Sequence, residues 1–310
     1  MPDRQRFGVS AEPEPEAELL HVPELTPEHQ EQVEERVSPS AHVLHEAIRR
    51  EADDELARSP SSLWWSGLAA GLSMGFSVVT QGLLRSHLPD AAWRPLVTNF
   101  GYTIGFLIVV LGHQQLFTEN TVTPIISVLA RRDVRTLVRT LRLWLIVLVA
   151  NLIGAAIFAT VIAHTAIFHD DVRQNFAQIG REAAQGGAWT IFLRAIFAGW
   201  LIALMVWMLP GTRASEALII IIMTYVVGLA GLAHVVVGSV EVLYTVANGD
   251  FSVAHYFAYL GPTVAGNIVG GVLLVAALNH AQVASGERGK RGRGPRWRRA
   301  GQPAGGGPLS

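Results

Sequence analysis

The chain has 310 residues, of which 50% are hydrophobic and 16% charged, with a formal net charge of −1 and no cysteine. Several stretches of about 20 residues hold almost no charge, which excludes an ordinary soluble domain and indicates a multi-pass membrane protein. Zero cysteines exclude disulfides and thiolate metal sites, while the net charge says little because the charges are segregated along the chain.

The first 61 residues hold 15 of the 25 acids, six arginines, several prolines and no apolar run. This is the opposite of a basic, cleavable signal peptide, so the first membrane helix is expected to act as the targeting signal. Within the acidic tail, Val43, Leu44, Ala47 and Ile48 share a helical face and Glu46 lies four residues before Arg50. That spacing predicts an amphipathic helix over 41–58, resting as a solvated element on the cytoplasmic side.

Six spans follow at 62–84, 95–130, 139–163, 189–208, 215–248 and 258–280, making 62–282 the membrane domain. The second is too long for one crossing: 35 residues from Leu96 to Ala130 would extend about 52 Å, against a bilayer core of roughly 30 Å. Its "LFTENTVTPIISVLARR", with Thr118-Glu119-Asn120-Thr121 and Pro124, predicts two helical pieces with a break. The fifth span has a second break at "GLAGLAHVVVGSVEVLYTVANGD". There His234 interrupts an apolar run, Gly238 supplies backbone freedom and Ser239 is placed to cap the resumed helix.

Arginines orient the spans. Arg131, Arg132, Arg135, Arg139 and Arg142 follow the second span, Arg213 the fourth, and the tail from 283 carries Arg288, Lys290, Arg291, Arg293, Arg296, Arg298 and Arg299. Both termini are therefore expected in the cytoplasm. The basic, Gly-rich tail suits acidic lipid headgroups or RNA; it reads more simply as a tail serving the positive-inside pattern, with no nucleic-acid partner. The link at 164–188 is expected along the outer surface, with room for a short amphipathic helix.

Asn151-Leu152-Ile153-Gly154 in the third span is echoed by Asn267-Ile268-Val269-Gly270 in the sixth, each after an interrupted span. Three helices with a broken second member, occurring twice, imply two inverted repeats with the functional site where the breaks face each other. Irregular backbone at that depth survives only when buried in protein or lining a wet cavity. Each resumed half-helix is expected to offer free N–H groups to an anion.

Two motif matches point elsewhere. Gly71-Leu72-Ser73-Met74-Gly75 fits G-x-S-x-G and raises an intramembrane serine hydrolase, but that motif needs a strand-turn-helix elbow. Gly67, Gly71 and Gly75 at intervals of four read instead as a helix-packing face. His45-Glu46 lacks the second histidine of a zinc-protease motif, since Arg49 occupies its place, and neither metal nor cofactor is expected.

"GYTIGFLIVVLGHQQLFTENTV" followed by "ANLIGA", and "GLAHVVVGSVEVLYTVANG" followed by "GNIVGG", resemble the formate/nitrite transporter family over residues 62–282. The acidic N-terminal extension suggests a branch of unassigned substrate. The resemblance implies an all-α, aquaporin-like protomer of six helices, assembled as a homopentamer in the bacterial inner membrane and passing a small monovalent anion such as formate or nitrite, with protons. It places Thr118 and His234 at the centre of the pore and Tyr102, Phe106, Leu116, Phe117 and Val227 at its apolar constrictions. An anion pays heavily to cross such a constriction and a neutral weak acid does not, so a proton delivered through His234 would let the acid cross uncharged.

This chain departs from the family at several positions. Gly186, Gly187 and Ala188 stand where a lysine is common, Gly238 and Ala203 where asparagines are common, and Glu119, Arg194 and Glu241 add charge near the pore. Such charges are costly unless paired or wet, so Arg194 is expected to neutralise one of the carboxylates, from the other side of the subunit or from a neighbour, the alternative being that all three reach the vestibules. A channel for a small neutral solute without a proton relay is the near alternative reading, and the serine hydrolase the distant one.

Overall fold

The computed structural model describes Thr26, residues 41–212 and residues 215–272, and every regular element among them is helical. Apart from Thr26, the acidic segment before residue 41, together with Arg213, the end of the sixth span beyond 272 and the basic tail, lies outside the described residues.

In chain order the helices are α1 (Ala41–Ala57), α2 (Pro60–His87), α3 (Arg94–Thr98), α4 (Thr103–Leu111), α5 (Thr123–Arg131), α6 (Val134–His164), α7 (Asp170–Ala183), α8 (Ala188–Met208), α9 (Glu216–Leu229), α10 (Val235–Ala247) and α11 (Val253–Val269). Among the described residues, four stretches are long and apolar enough to cross a membrane: Pro60–His87, Arg94–Leu111, Val134–His164 and Ala188–Gly211. Both breaks fall where the polar insertions predicted them, between α4 and α5 and between α9 and α10.

Local chemistry sets the helix ends. Ser59 caps α2 by accepting from the Ser62 N–H at 3.2 Å, with Pro60 in the first turn, where its missing N–H costs nothing. Asp133 caps α6 through the Thr136 N–H at 2.8 Å, after Arg132 has turned the chain with a left-handed φ of 54°. The basic loop at 131–142 is thus a tight corner running into the start of α6.

The core is built from two matching helix pairs, α2 with α6 and α8 with α11. A Cβ added at Gly71 would run into the Asn151 backbone, and one at Gly199 into the Asn267 backbone. Where lipid tails are as apolar as side chains, such close backbone approach, through dispersion contacts, is what holds helices together. Gly75 faces the Phe158 ring in the same pair. Ser73 therefore lies inside a continuous helix and no nucleophile elbow exists, which removes the hydrolase reading.

Two peripheral elements differ from expectation. In α1 the buried face is His45, Ile48, Ala52 and Leu56, while Val43 is 54% exposed and Ala47 lies at the surface. The helix is rotated because its carboxylates are anchored: Asp53 accepts from Ser127 Oγ at 2.9 Å and pairs with Arg131 at 2.8 Å. The link at 164–188 does contain the short amphipathic helix expected there, with Asp170, Asp171, Gln178 and Arg181 exposed, but it is packed more deeply than a surface strap: α7 buries Val172, Phe176, Ala177 and Ile179 against α2 and α10. Gly180 makes this possible, because a side chain there would strike the Glu241 carbonyl.

Candidate functional site

Unwound backbone inside a helical core must find partners for its N–H and C=O groups. Asn151 supplies them at the first break: its Oδ1 accepts from the Phe117 N–H at 2.9 Å, and its Nδ2 donates to the carbonyls of Gln115 at 2.9 Å and Gly67 at 2.7 Å. Asn267 does the same at the second break. Its Oδ1 accepts from the Val235 N–H at 2.9 Å, and its Nδ2 donates to the carbonyls of Ala233 at 2.9 Å and Ala195 at 2.8 Å. In both halves the carbonyl lies two residues before the N–H, so one asparagine clamps one extended dipeptide.

The chain enters the first break through His113, held at φ 48°, and the second through Gly231, at φ 58°. Gln115 ties the first break to its surroundings: its N–H donates to Ser66 Oγ at 3.0 Å, its Oε1 accepts from Asn120 Nδ2 at 2.9 Å, and its Nε2 donates to Glu55 Oε1 at 2.8 Å. Helix α1 thereby reaches the interrupted segment. Burial pushes the Glu55 carboxyl above its ordinary value, partly offset by hydrogen bonds from Gln115 and Thr123. Hydrogen bonds from Arg49 and Arg50 hold Glu46 down at about 2.

His234 sits between the two breaks, 1% exposed, and is itself the cap of α10. Its Nδ1 accepts from the Val236 and Val237 N–H groups, both at 3.3 Å. With Nδ1 an acceptor, the ring proton belongs on Nε2, which lies 2.8 Å from Thr118 Oγ1 and donates to it. The Thr118 hydroxyl keeps its own proton to offer elsewhere. Phe106 packs edge-on to the imidazole with ring centroids 5.0 Å apart, and Tyr102 lies 5.5 Å beyond Phe106.

Two cavities flank this buried centre. One, of 370 Å³, is lined by Tyr102, Val227 and Tyr259 at its apolar end and by Arg85, Arg94, Arg194, Gln81 and Glu241. The other, of 800 Å³, is lined by Leu116, Glu119, Asn120, Thr123, Glu51 and Glu55. Thr118, His234 and Phe106 line neither, and all three are essentially without exposed surface. The arrangement is two polar vestibules separated by an apolar plug that holds one hydroxyl–imidazole pair.

Most of the residues singled out in the sequence converge here, although some act differently. Phe117 is not at the centre: its ring packs against Trp144 with centroids 6.1 Å apart, and only its backbone serves the break. Gly238 provides space rather than backbone freedom, since any side chain would overlap the Tyr259 hydroxyl, which donates to the His234 carbonyl at 3.5 Å. Ser239 does not cap α10; its hydroxyl donates to the Val235 carbonyl at 2.6 Å and accepts from Tyr256 at 3.1 Å. The first N–H groups of α10 are taken by Asn267 and His234, so that helix start is no open anion cradle.

Arg194 donates to the Gln185 carbonyl at 3.0 Å and forms no ion pair with Glu119 or Glu241 among the described residues. It shares the smaller cavity with Glu241, on which Arg85 and Glu182 act. Glu119 stands in the larger cavity beside Glu55 and Glu51, with its Oε1 buried and unpartnered. Gly186 and Gly187 form the turn into α8, at φ 103° and as its N-cap, and Ala203 is buried with Ile48, Val122 and Ile125. Sequence reasoning missed Gln115, Gln81 and Tyr259 and the clamping role of the two asparagines. The Asn-x-x-Gly echo was the one signal that could have revealed that role.

The formate/nitrite transporter family profile matches residues 42–281. The chain is 40% identical over 259 residues to the inner membrane protein YfdC of Escherichia coli strain K12, covering 83% of this chain and 84% of that protein. Two solved structures share the fold. An FNT family ion channel superposes with a TM-score of 0.66 at 20% identity, over 76% of this chain and 96% of that one. A pentameric formate channel with formate bound superposes at 0.59 and 19% identity, over 71% and 95%.

Proposed function

This chain belongs to the formate/nitrite transporter family, and from that premise we propose that it carries a small monovalent anion of a weak acid across the bacterial inner membrane together with a proton. The family is one of transporters, and a reading as an enzyme falls away with it. The observation that carries the proposal is the Thr118–His234 hydrogen bond of 2.8 Å, buried at the plug between two polar cavities.

An ion at that point would lose its water and gain only one hydroxyl, whereas its neutral acid needs little more than one hydrogen-bond partner. Thr118 offers that partner, and His234 sets its direction: the imidazole N–H occupies the hydroxyl's lone pair, which leaves the hydroxyl proton for the acid. The cap on Nδ1 fixes the ring, so the donor is preorganised. The repeated asparagine clamps support two halves inserted in opposite senses, and the pentameric formate channel to which the chain is similar supports a homopentamer. Helix α1 lines the larger cavity and pairs through Asp53 with Arg131, so on the positive-inside pattern that cavity faces the cytoplasm.

The test is uptake of formate and nitrite into proteoliposomes under an imposed pH gradient. Native protein should show flux that follows the gradient and collapses in His234→Ala and Thr118→Val. Flux that ignores both the gradient and the two substitutions would turn the reading to a neutral-solute pore.

A further inference from the structure

The plug accounts for the crossing of a neutral acid but not for where the anion acquires its proton. His234 is poorly placed to give one. Its Nδ1 is held by two backbone N–H groups and its Nε2 proton by Thr118, so releasing a proton to a substrate would require a second one to enter at Nδ1 and break the helix cap.

The smaller cavity contains another candidate. Glu241 lies on α10 two turns beyond His234, is 8% exposed, and lines the cavity without a hydrogen bond to any described side chain or backbone group. The cation nearest in effect, Arg85 on α2, is committed to Glu182 of α7 at 2.8 Å. Arg94 is paired with Asp90 at 3.3 Å and Arg194 with the Gln185 carbonyl. Tyr102 and Tyr259 complete the titratable groups facing the carboxyl, and α6, which packs along α10, contributes no charged side chain to the cavity.

A second observation concerns what the cavity is built to receive. Gln81 is 4% exposed; its Nε2 donates to Asn99 Oδ1 at 2.9 Å, and Asn99 Nδ2 donates to the Pro95 carbonyl at 2.8 Å. That chain fixes the carboxamide so that Gln81 Oε1 is an acceptor, buried, unpartnered and in the wall of the same cavity. A buried acceptor without a partner costs about 1–3 kcal/mol, and a guest bearing an O–H or S–H would relieve it. Arg194, which has no ion-pair partner among the described residues, is the positive charge that draws an anion in, while the buried Gln81 acceptor asks for a hydrogen donor. A weak-acid anion that becomes its own conjugate acid inside the cavity satisfies both.

We propose that Glu241 is the proton donor of the pore: its carboxyl gives a proton to the anion in the smaller cavity, and the neutral acid so formed is received by Gln81 before it crosses the plug. In that step the Glu241 O–H bond breaks and a bond forms between the proton and the anion's oxygen or sulfur. Glu241 is left as a carboxylate, which a hydronium ion from the bulk solution reprotonates through the cavity mouth. Glu119, in the opposite cavity, takes the proton back when the acid emerges. This step rests on the transport reading above.

The pH profile of flux separates this role from a structural one. If the acid forms only in bulk water, flux at pH well above the acid's own pKa follows the neutral species and falls about tenfold per pH unit. A donor inside the cavity flattens that slope. Labelled formate uptake by native protein is therefore expected to fall by clearly less than tenfold per unit, and by Glu241→Gln to fall the full tenfold, while Glu241→Asp keeps the shallow slope. Infrared difference spectra of native protein against Glu241→Gln should show a protonated-carboxyl component that the variant has lost. Equal slopes in native protein and Glu241→Gln overturn the assignment, as does a native slope of tenfold. If Glu241→Gln fails to assemble, a steep slope in Glu241→Asp overturns it as well. Native protein that moves no acid at all refutes the transport reading and this step with it, an outcome distinct from the others.

Discussion

Replacing Asn267 by alanine tests whether the clamp holds the pore together. The side chain is fully buried and makes three hydrogen bonds, to the Val235 N–H and to the carbonyls of Ala233 and Ala195. Alanine leaves all three groups without partners at a depth that water reaches poorly. Orphaned buried groups cost about 1–3 kcal/mol each, whereas side-chain hydrogen bonds in membrane proteins average nearer ~0.6 kcal/mol, so three together cost about 2–6 kcal/mol. At about 2–4 °C per kcal/mol for a chain of this size, the unfolding midpoint should fall by about 10 °C.

The sharper part of the prediction is equality. Asn151→Ala strands the Phe117 N–H and the carbonyls of Gln115 and Gly67, the same inventory in the other half. Both variants, purified in detergent and followed by thermal unfolding of the assembled protein, should lose comparable stability. A loss in one and not the other, or midpoints within about 2 °C of native in both, would refute the claim that each break is held by its asparagine.

The cap on α10 and the hydrogen bond to Thr118 can be separated at His234. Asparagine can still accept from the Val236 and Val237 N–H groups but cannot reach Thr118, so His234→Asn should keep most of the stability and lose transport, while His234→Ala should lose transport and a further ~1 kcal/mol of cap energy; thermal unfolding beside flux reads both. Gly238→Ala should be strongly destabilising because its methyl group overlaps Tyr259, and Tyr259→Phe should recover part of the loss in the double variant; no recovery would place the strain elsewhere. For α1, a carboxyl whose folded value lies above its free value contributes stability that grows as pH falls from the folded value toward the free one and is lost as pH rises through the folded value. Burial raises Glu51 and Glu55, while Glu46 stays ionised down to about 2 and keeps its arginine pairs. Spin-label distances between α1 and α5 should therefore tighten, and not loosen, as pH falls from the alkaline side toward the ordinary carboxylate range; widening on that descent would contradict the carboxyl assignment.

The breaks, the central histidine and its threonine were legible because polar residues inside long apolar runs stand out against a periodic background. The Asn-x-x-Gly echo likewise showed that the third and sixth spans correspond. What stayed hidden was long-range side-chain-to-backbone bonding. Nothing near Asn267 indicates that it clamps a dipeptide some 32 residues upstream, as its bond to Val235 shows. The α1 face was misjudged because hydrophobic spacing alone favoured Val43 and Ala47, whereas Asp53 and Glu55 fix the helix through Ser127, Arg131, Gln115 and Thr123. The burial of α7 was missed for a similar reason: its polar composition hides a stripe of four apolar residues, and Gly180 acquires meaning only once α10 lies against it.

The most direct test of the account is a panel of formate, nitrite, hydrosulfide, acetate and lactate presented to proteoliposomes of the native protein, with and without a pH gradient and with a protonophore that collapses it. At least one of these acids should accumulate with the gradient and stop when the protonophore is added. Movement of none of them, alongside rapid passage of an uncharged solute such as urea, would contradict weak-acid transport and make the plug the gate of a neutral-solute pore.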